Sequence, residues 1–259
     1  MIGVLTDNAL LLGTAVTVVW VVSIQLTRTD IIDVFWGPGF VLIAGATCFR
    51  YREQIRPQAV ILVAAVSLWG LRLGTHLLIR WWNEPHEDRR YAAMRSAAGQ
   101  SWWLRSLVTV FWLQAVILWM VSWPLQSALQ SSRSAQPTVF AAGLLLCVIG
   151  FLFETVSDWQ LTVFRRDPVH RNQVLDTGLW HYSRHPNYFG DFLVWWGLFM
   201  MSLALGAAWW TVVSPVVMSA LLMKFSGVGM LEKDISDRRP EYSAYAARTN
   251  TFFPWFPKQ

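Results

Sequence analysis

The chain has 259 residues, 54% of them hydrophobic and only 14% charged, with 17 tryptophans and a mean hydropathy of +0.37. Soluble domains carry about 25% charged residues, so the polar surface is too small to cover a globule in water and the bilayer is the expected solvent. The formal net charge of +5 raises the question of nucleic acid, but the basic residues fall in loops between apolar segments, as orientation signals do, so no nucleic-acid partner is expected.

A membrane-spanning helix needs about 20 apolar residues. That measure predicts an all-α, polytopic integral membrane protein of about seven spans: residues 8–27, 31–50, 57–82, 105–129, 137–164, 187–206 and 208–230, with 231–259 outside the hydrocarbon. No linker or repeat separates them, so 1–259 reads as a single domain. The opening MIGVLTDNALLLG lacks a basic stretch and reads as a retained span rather than a cleaved leader. Cys48 and Cys147 each sit inside an apolar run, with the spacing of neither a disulfide framework nor a metal site. With the amino terminus outside, one side receives Arg28, the group Arg80, Arg89, Arg90, Arg95 and Arg105, then Arg165, Arg166, Arg171 and Arg184, and finally Lys224, Lys233, Arg238, Arg239, Arg248 and Lys258. The other receives Arg50, Arg52, Arg56 and Arg133. The positive-inside bias then places the carboxy terminus in the cytoplasm.

An ionisable group at membrane depth is costly unless it faces a partner or a wet cavity, so the polar residues within the spans mark the interior. Asp33 opens DVFWGPG, where Gly37, Pro38 and Gly39 are expected to break or bend the second span and form a cavity wall. In WGLRLGTHLLIR, Arg72, His76 and Arg80 recur every four residues as one inward polar stripe. An Arg72–Asp33 pair that only locks two helices is the structural alternative. Glu87, Asp88, Arg89, Arg90 and Tyr91 read mainly as a solvated loop, and Gln114 as a hydrogen bonder between helices with no further role. The fifth span ends GFLFETVSDWQLTVFRRDP, which puts Glu154, Asp158, Thr162 and Arg165 on one face. Two like charges so placed require a donor-rich ligand or a cation between them. The hydroxyls and amine of a nucleotide are suitable donors, and Arg165, Arg166, His170 and Arg171 are placed to hold a phosphate.

The densest polar run is GLWHYSRHPNYFGD at residues 178–191, with His181, Tyr182, Arg184, His185, Asn187, Tyr188 and Asp191. Pro186 lacks an N–H and biases His185 away from helical geometry, so a helix is predicted to start there. Its amino-terminal end, pointing into the cluster, suits a phosphate or carboxylate. An interfacial loop with headgroup-level anchors is the plain alternative. Beyond the last span, Lys224 and Glu232 lie close enough to the membrane edge to join the site, and Tyr242 and Tyr245 are expected to flank the interface on a surface helix that covers it.

Together these motifs resemble the steroid 5-alpha-reductase-like family of membrane proteins, in its bacterial branch of about this length. The likeness rests on D-x-F-W-G at Asp33–Gly37, W-G-L-R-L at Trp69–Leu73, the E-D-x-R-Y region at Glu87–Tyr91, D-W-Q-L at Asp158–Leu161, G-L-W-x-Y-S-R-H-P-N-Y-x-G-D at Gly178–Asp191 and L-E-K from Leu231. The carboxy-terminal half alone also resembles isoprenylcysteine and phospholipid methyltransferases, which use S-adenosylmethionine, and sterol C14 reductases. The amino-terminal half tips the likeness towards the 5-alpha-reductase branch.

The resemblance implies NADPH held by residues 137–259, a substrate side in residues 1–130, and reduction of a carbon–carbon double bond conjugated to a ketone. On the cofactor side it carries over to Glu154, Asp158, Arg165, Tyr182, Asn187, Asp191 and Lys224, with Arg184, His185 and Glu232 beside them. No G-x-G-x-x-G follows a strand, so the dinucleotide is implied by the likeness alone; no metal is implied. Members that act on steroids hold the ketone with an adjacent glutamine and glutamate in the second span and a tyrosine in the third. Here the matching positions are Ile32, Asp33 and Trp69. The carbonyl-facing role then passes to Asp33, His76 or a tyrosine from elsewhere, with Arg72 on the same polar stripe, and the expected substrate is a steroid or other enone-bearing lipid. The expected address is the bacterial inner membrane, with the cofactor side facing the cytoplasm.

Overall fold

A computed structural model describes residues 2–170, 173–225 and 241–258, and among the described residues it is helical without a strand. Helices α1 (Ile2–Leu26), α2 (Ile31–Arg50) and α3 (Pro57–Asn83) follow one another through short turns. Next come α4 (Arg89–Ala98) and α5 (Trp102–Ser106), a π-helical turn at 107–112, α6 (Leu113–Val121) and α7 (Trp123–Leu129). The described chain ends with α8 (Pro137–Arg166), α9 (Pro186–Ala204), α10 (Val213–Ala220) and α11 (Glu241–Arg248).

Five stretches among the described residues are helical, long and apolar enough to cross a membrane: Gly3–Leu26, Ile31–Arg50, Pro57–Asn83, Arg89–Val121 and Pro137–Arg166. Their outward sides are apolar, with Leu10, Val18, Leu68, Leu145 and Trp159 exposed, as lipid contact requires. The sixth and seventh expected spans correspond to α9 and the shorter apolar stretch Trp209–Lys224. Asn187 and Asp191 take up the first turns of α9, which shortens its apolar run.

The chain forms two compact units, Met1–Gln136 with Ser202–Thr211, and Pro137–Met201 with Val212–Gln259. In the first, α2 and α3 pack antiparallel at very short range. Gly37 meets the backbone of Gly70, and Gly74 leaves the space that the ring of Pro38 fills. The Gly-Pro-Gly motif therefore does not break the second span as expected: Pro38 lies inside a continuous α2, and the glycines serve close packing instead. A buried polar knot ties three helices, as the Asn8 amide donates to Thr47 Oγ1 and to Gln126 Oε1, each at 2.8 Å. A hydrophobic core in the same unit joins Val16, Ile32, Tyr91, Trp102, Val110 and Phe111.

In the second unit α8 and α9 cross antiparallel on a glycine seam. Gly150 abuts the backbone of Gly190 and Val194, and Gly143 that of Gly197 and Met201. Residues 176–185 lie on α8, where the Trp180 indole donates to the Ser157 carbonyl at 3.1 Å and Leu179 N donates to Gln160 Oε1 at 3.1 Å. The tail lies on that segment in turn. Tyr245 donates to the Trp180 carbonyl at 2.5 Å, Arg184 N to the Asn250 carbonyl at 2.9 Å, and Trp255 N to the Tyr182 carbonyl at 3.0 Å. Tyr242 and Tyr245 are thus buried, not interfacial as expected, because α11 turns its tyrosine side inward and the buried Tyr245 hydroxyl finds the Trp180 and Ser183 carbonyls as acceptors.

Candidate functional site

The second unit assembles one polar cluster. Glu154 and Asp158, one turn apart on α8, are both buried, and so is Asp191 on α9. The glycine seam makes this possible: Gly190 sits against the backbone of Glu154, so Asn187 and Asp191 flank the point where the helices touch. Asn187 Nδ2 donates to Asp158 Oδ1 at 3.1 Å, and Asn187 Oδ1 is a buried acceptor with no hydrogen-bond partner among the described residues. α9 starts at Pro186, where proline's missing N–H predicts a helix start. Just before it, His185 N donates to Ser183 Oγ at 3.1 Å, and the His185 ring stacks on Tyr188 with centroids 5.6 Å apart.

The other predicted cofactor residues have different surroundings. Arg184 is half-buried and bonds Thr251 of the tail. Tyr182 is exposed, with its ring edge-on to His181 and Phe256. Arg165, at the end of α8, and Lys224 are exposed. Glu232 and Arg171 lie outside the described residues. The chemistry on offer is a set of buried acceptors, three carboxylates and an amide oxygen, suited to a ligand rich in N–H and O–H donors.

A second cluster forms within the first unit around Asp33. The Tyr91 hydroxyl donates to Asp33 Oδ1 at 2.7 Å and accepts from Gln114 Nε2 at 3.1 Å. Arg90 Nη2 donates to Asp33 Oδ2 at 3.0 Å, while Arg90 Nε bonds Asp88 Oδ1 at 2.9 Å. Gln114 makes the interhelical hydrogen bond expected of it, to α4, whereas Arg90 and Tyr91 are not in the solvated loop expected for them. Instead Asp88 caps α4 by accepting from Arg90 N at 2.9 Å, and the helix carries both residues to Asp33. The cation paired with Asp33 is Arg90. On α3, Arg72 and His76 are half-buried and Arg80 is exposed.

Next to this cluster, Arg95 forks onto Glu87 at 3.0 and 2.8 Å, and Thr29 N donates to Glu87 Oε1 at 2.7 Å. Burial pushes the Glu87 carboxyl up, but the bonds from Arg95 and Thr29 outweigh it and hold the group below its ordinary range. Asp88 is lowered in the same way, burial being outweighed by the Arg90 side chain and backbone N–H. A folded-state pKa below the unfolded one gives stability that is complete above the unfolded value and is lost as pH falls through the folded one. The thermal midpoint should therefore fall as pH drops below about 4, and Glu87→Gln should flatten part of that fall. Identical midpoint-versus-pH curves for the two proteins would remove Glu87 from the account.

The sequence matches the profile of a protein family over residues 19–249, and that family is described as protein of unknown function (DUF1295). No curated protein matches the chain, and no solved structure does.

Proposed function

The chain belongs to the DUF1295 family, and from that premise we propose that it is an NADPH-dependent membrane reductase acting on the C=C bond of a hydrophobic enone, a 3-oxo-Δ4 steroid or similar lipid. One observation carries the proposal: the Asn187–Asp158 bond between two buried helix faces, with the Asn187 amide oxygen still open to a donor. The residues fit the donor-rich parts of a nicotinamide nucleotide. In this reading Asn187, Asp158, Glu154 and Asp191 receive its hydroxyl and amide N–H groups, while Arg165, Tyr182, Arg184, His185, Lys224 and Glu232 serve its remainder. NADPH, when bound, supplies a hydride.

The chain's own part in the chemistry is assigned to the Asp33 cluster. The Tyr91 hydroxyl turns its proton from Asp33 to the carbonyl oxygen of the enone, and the bond from Gln114 steadies the phenolate that results. Asp33, held by Arg90, positions the hydroxyl beforehand. Tyr91 thus takes the role of a tyrosine from elsewhere, and Arg72 and His76 contribute a polar wall. On the same proposal α9 and Trp209–Lys224 complete seven crossings of a bacterial inner membrane, with the carboxy terminus in the cytoplasm.

Isothermal titration of the detergent-purified protein with NADPH and with S-adenosylmethionine tests the cofactor. We expect NADPH to bind and Asn187→Ala to weaken it about tenfold, the worth of one charge-assisted hydrogen bond network of roughly 1.4 kcal/mol. Binding of S-adenosylmethionine alone would make the chain a methyltransferase instead.

A further inference from the structure

The first unit holds a cavity of about 330 Å3 where α1 ends and α5 begins. Arg95, Thr27, Thr29, Gln100, Trp102 and Trp103 line it, and it belongs to neither cluster assigned above. Three features give it a definite chemistry.

The first is a prepared cation. Arg95 uses Nε and Nη2 on Glu87, and Nη2 also donates to the Thr27 carbonyl and Thr29 Oγ1, both at 3.1 Å. Nη1 makes no hydrogen bond among the described residues and keeps its two N–H donors. Thr27 holds φ at 55°, a conformation that a β-branched residue rarely adopts, with its carbonyl taken by Arg95. The second is charge. Glu87 balances the guanidinium from behind, so little net field is left for a polyanion, whereas one oxygen of a singly charged diester can still accept from Nη1. The third is surroundings. Trp103 is exposed and stacks on Trp20 with centroids 6.4 Å apart, and the Trp20 indole donates to the Trp103 carbonyl at 2.9 Å. Paired indoles are typical of headgroup depth, and exposed Val21, Ile24, Leu104 and Val108 continue the same flank as a strip suited to acyl chains.

We propose that this cavity seats the phosphodiester headgroup of a membrane phospholipid, with one phosphate oxygen accepting from Arg95 Nη1 and the acyl chains running along the exposed flank of α1 and α5. The site is independent of the reductase reading, since neither NADPH nor an enone takes part in it.

Native mass spectrometry of the full-length protein, released from detergent with added phosphatidylglycerol, tests the assignment. Wild type should keep one lipid at collision energies that strip the rest. Gln100→Glu places a carboxylate beside the phosphate without touching the Arg95–Glu87 fork, and should lower retention at least about fivefold, or roughly 1 kcal/mol of repulsion. Retention by wild type against millimolar inorganic phosphate, and its loss when diacylglycerol replaces the phospholipid, support a lipid phosphate. Equal retention in wild type and Gln100→Glu overturns the proposal, as does displacement by inorganic phosphate, which would mark a free-anion site, or equal binding of diacylglycerol.

Discussion

Tyr91→Phe is expected to cut enone turnover by about 100-fold or more, the usual worth of a positioned general acid, while leaving NADPH affinity unchanged. The substitution removes one oxygen from a buried ring and keeps the ring's place in the core. What disappears is the hydroxyl that bonds both Asp33 and Gln114. A role confined to packing would leave turnover intact, because phenylalanine fills the same volume. Steady-state rates with an enone panel, read beside NADPH titration of the same preparation, separate the two. Full activity in the variant would return the Asp33 cluster to a structural task. The same assay identifies the reaction itself, since a reductase leaves a product two hydrogens heavier by mass spectrometry.

Gly190→Val should cost about 3 kcal/mol or more, at the upper end of overpacking penalties, and abolish cofactor binding together with the fold of the second unit. A Cβ at that position meets the backbone of Glu154 and of Gly150, and backbone cannot step aside as a side chain does. The helices would have to separate, and the Asn187–Asp158 bond would go with them. Gly45→Ala is the matching control, because nothing lies within 4 Å of the added methyl there; relief of glycine's poor helix propensity should make it neutral or stabilising by up to about 1 kcal/mol. Thermal unfolding of both variants in detergent reads the contrast, and equal midpoints would show that the seam bears no load.

The sequence foretold most where a single residue type dictates backbone geometry. Pro186 fixes the start of α9, and the apolar runs mark the long helices because lipid leaves the backbone no other partner. Glu154 and Asp158 stood out as acids inside an apolar segment, and they are buried on one face. Where partners are far apart in the chain, local patterns gave no warning. Tyr91 and Asp33 are 58 positions apart, and α4 was hidden by its charge-rich composition, although Asp88 ahead of a run of good helix formers was a legible cap signal. Pro38 shows the reverse error, a strong local breaker overruled by tight packing against Gly74.

The glycines of α8 and α9 recur at equal intervals, 143 with 150 and 190 with 197, so the two helices meet like a pair of notched rules. Sliding one rod by a single turn, about 5.4 Å, would put methyl-bearing neighbours where each notch now receives bare backbone. Translation along the shared axis is thereby opposed, and the two rods are held in one register while a change in their crossing angle leaves the notches engaged.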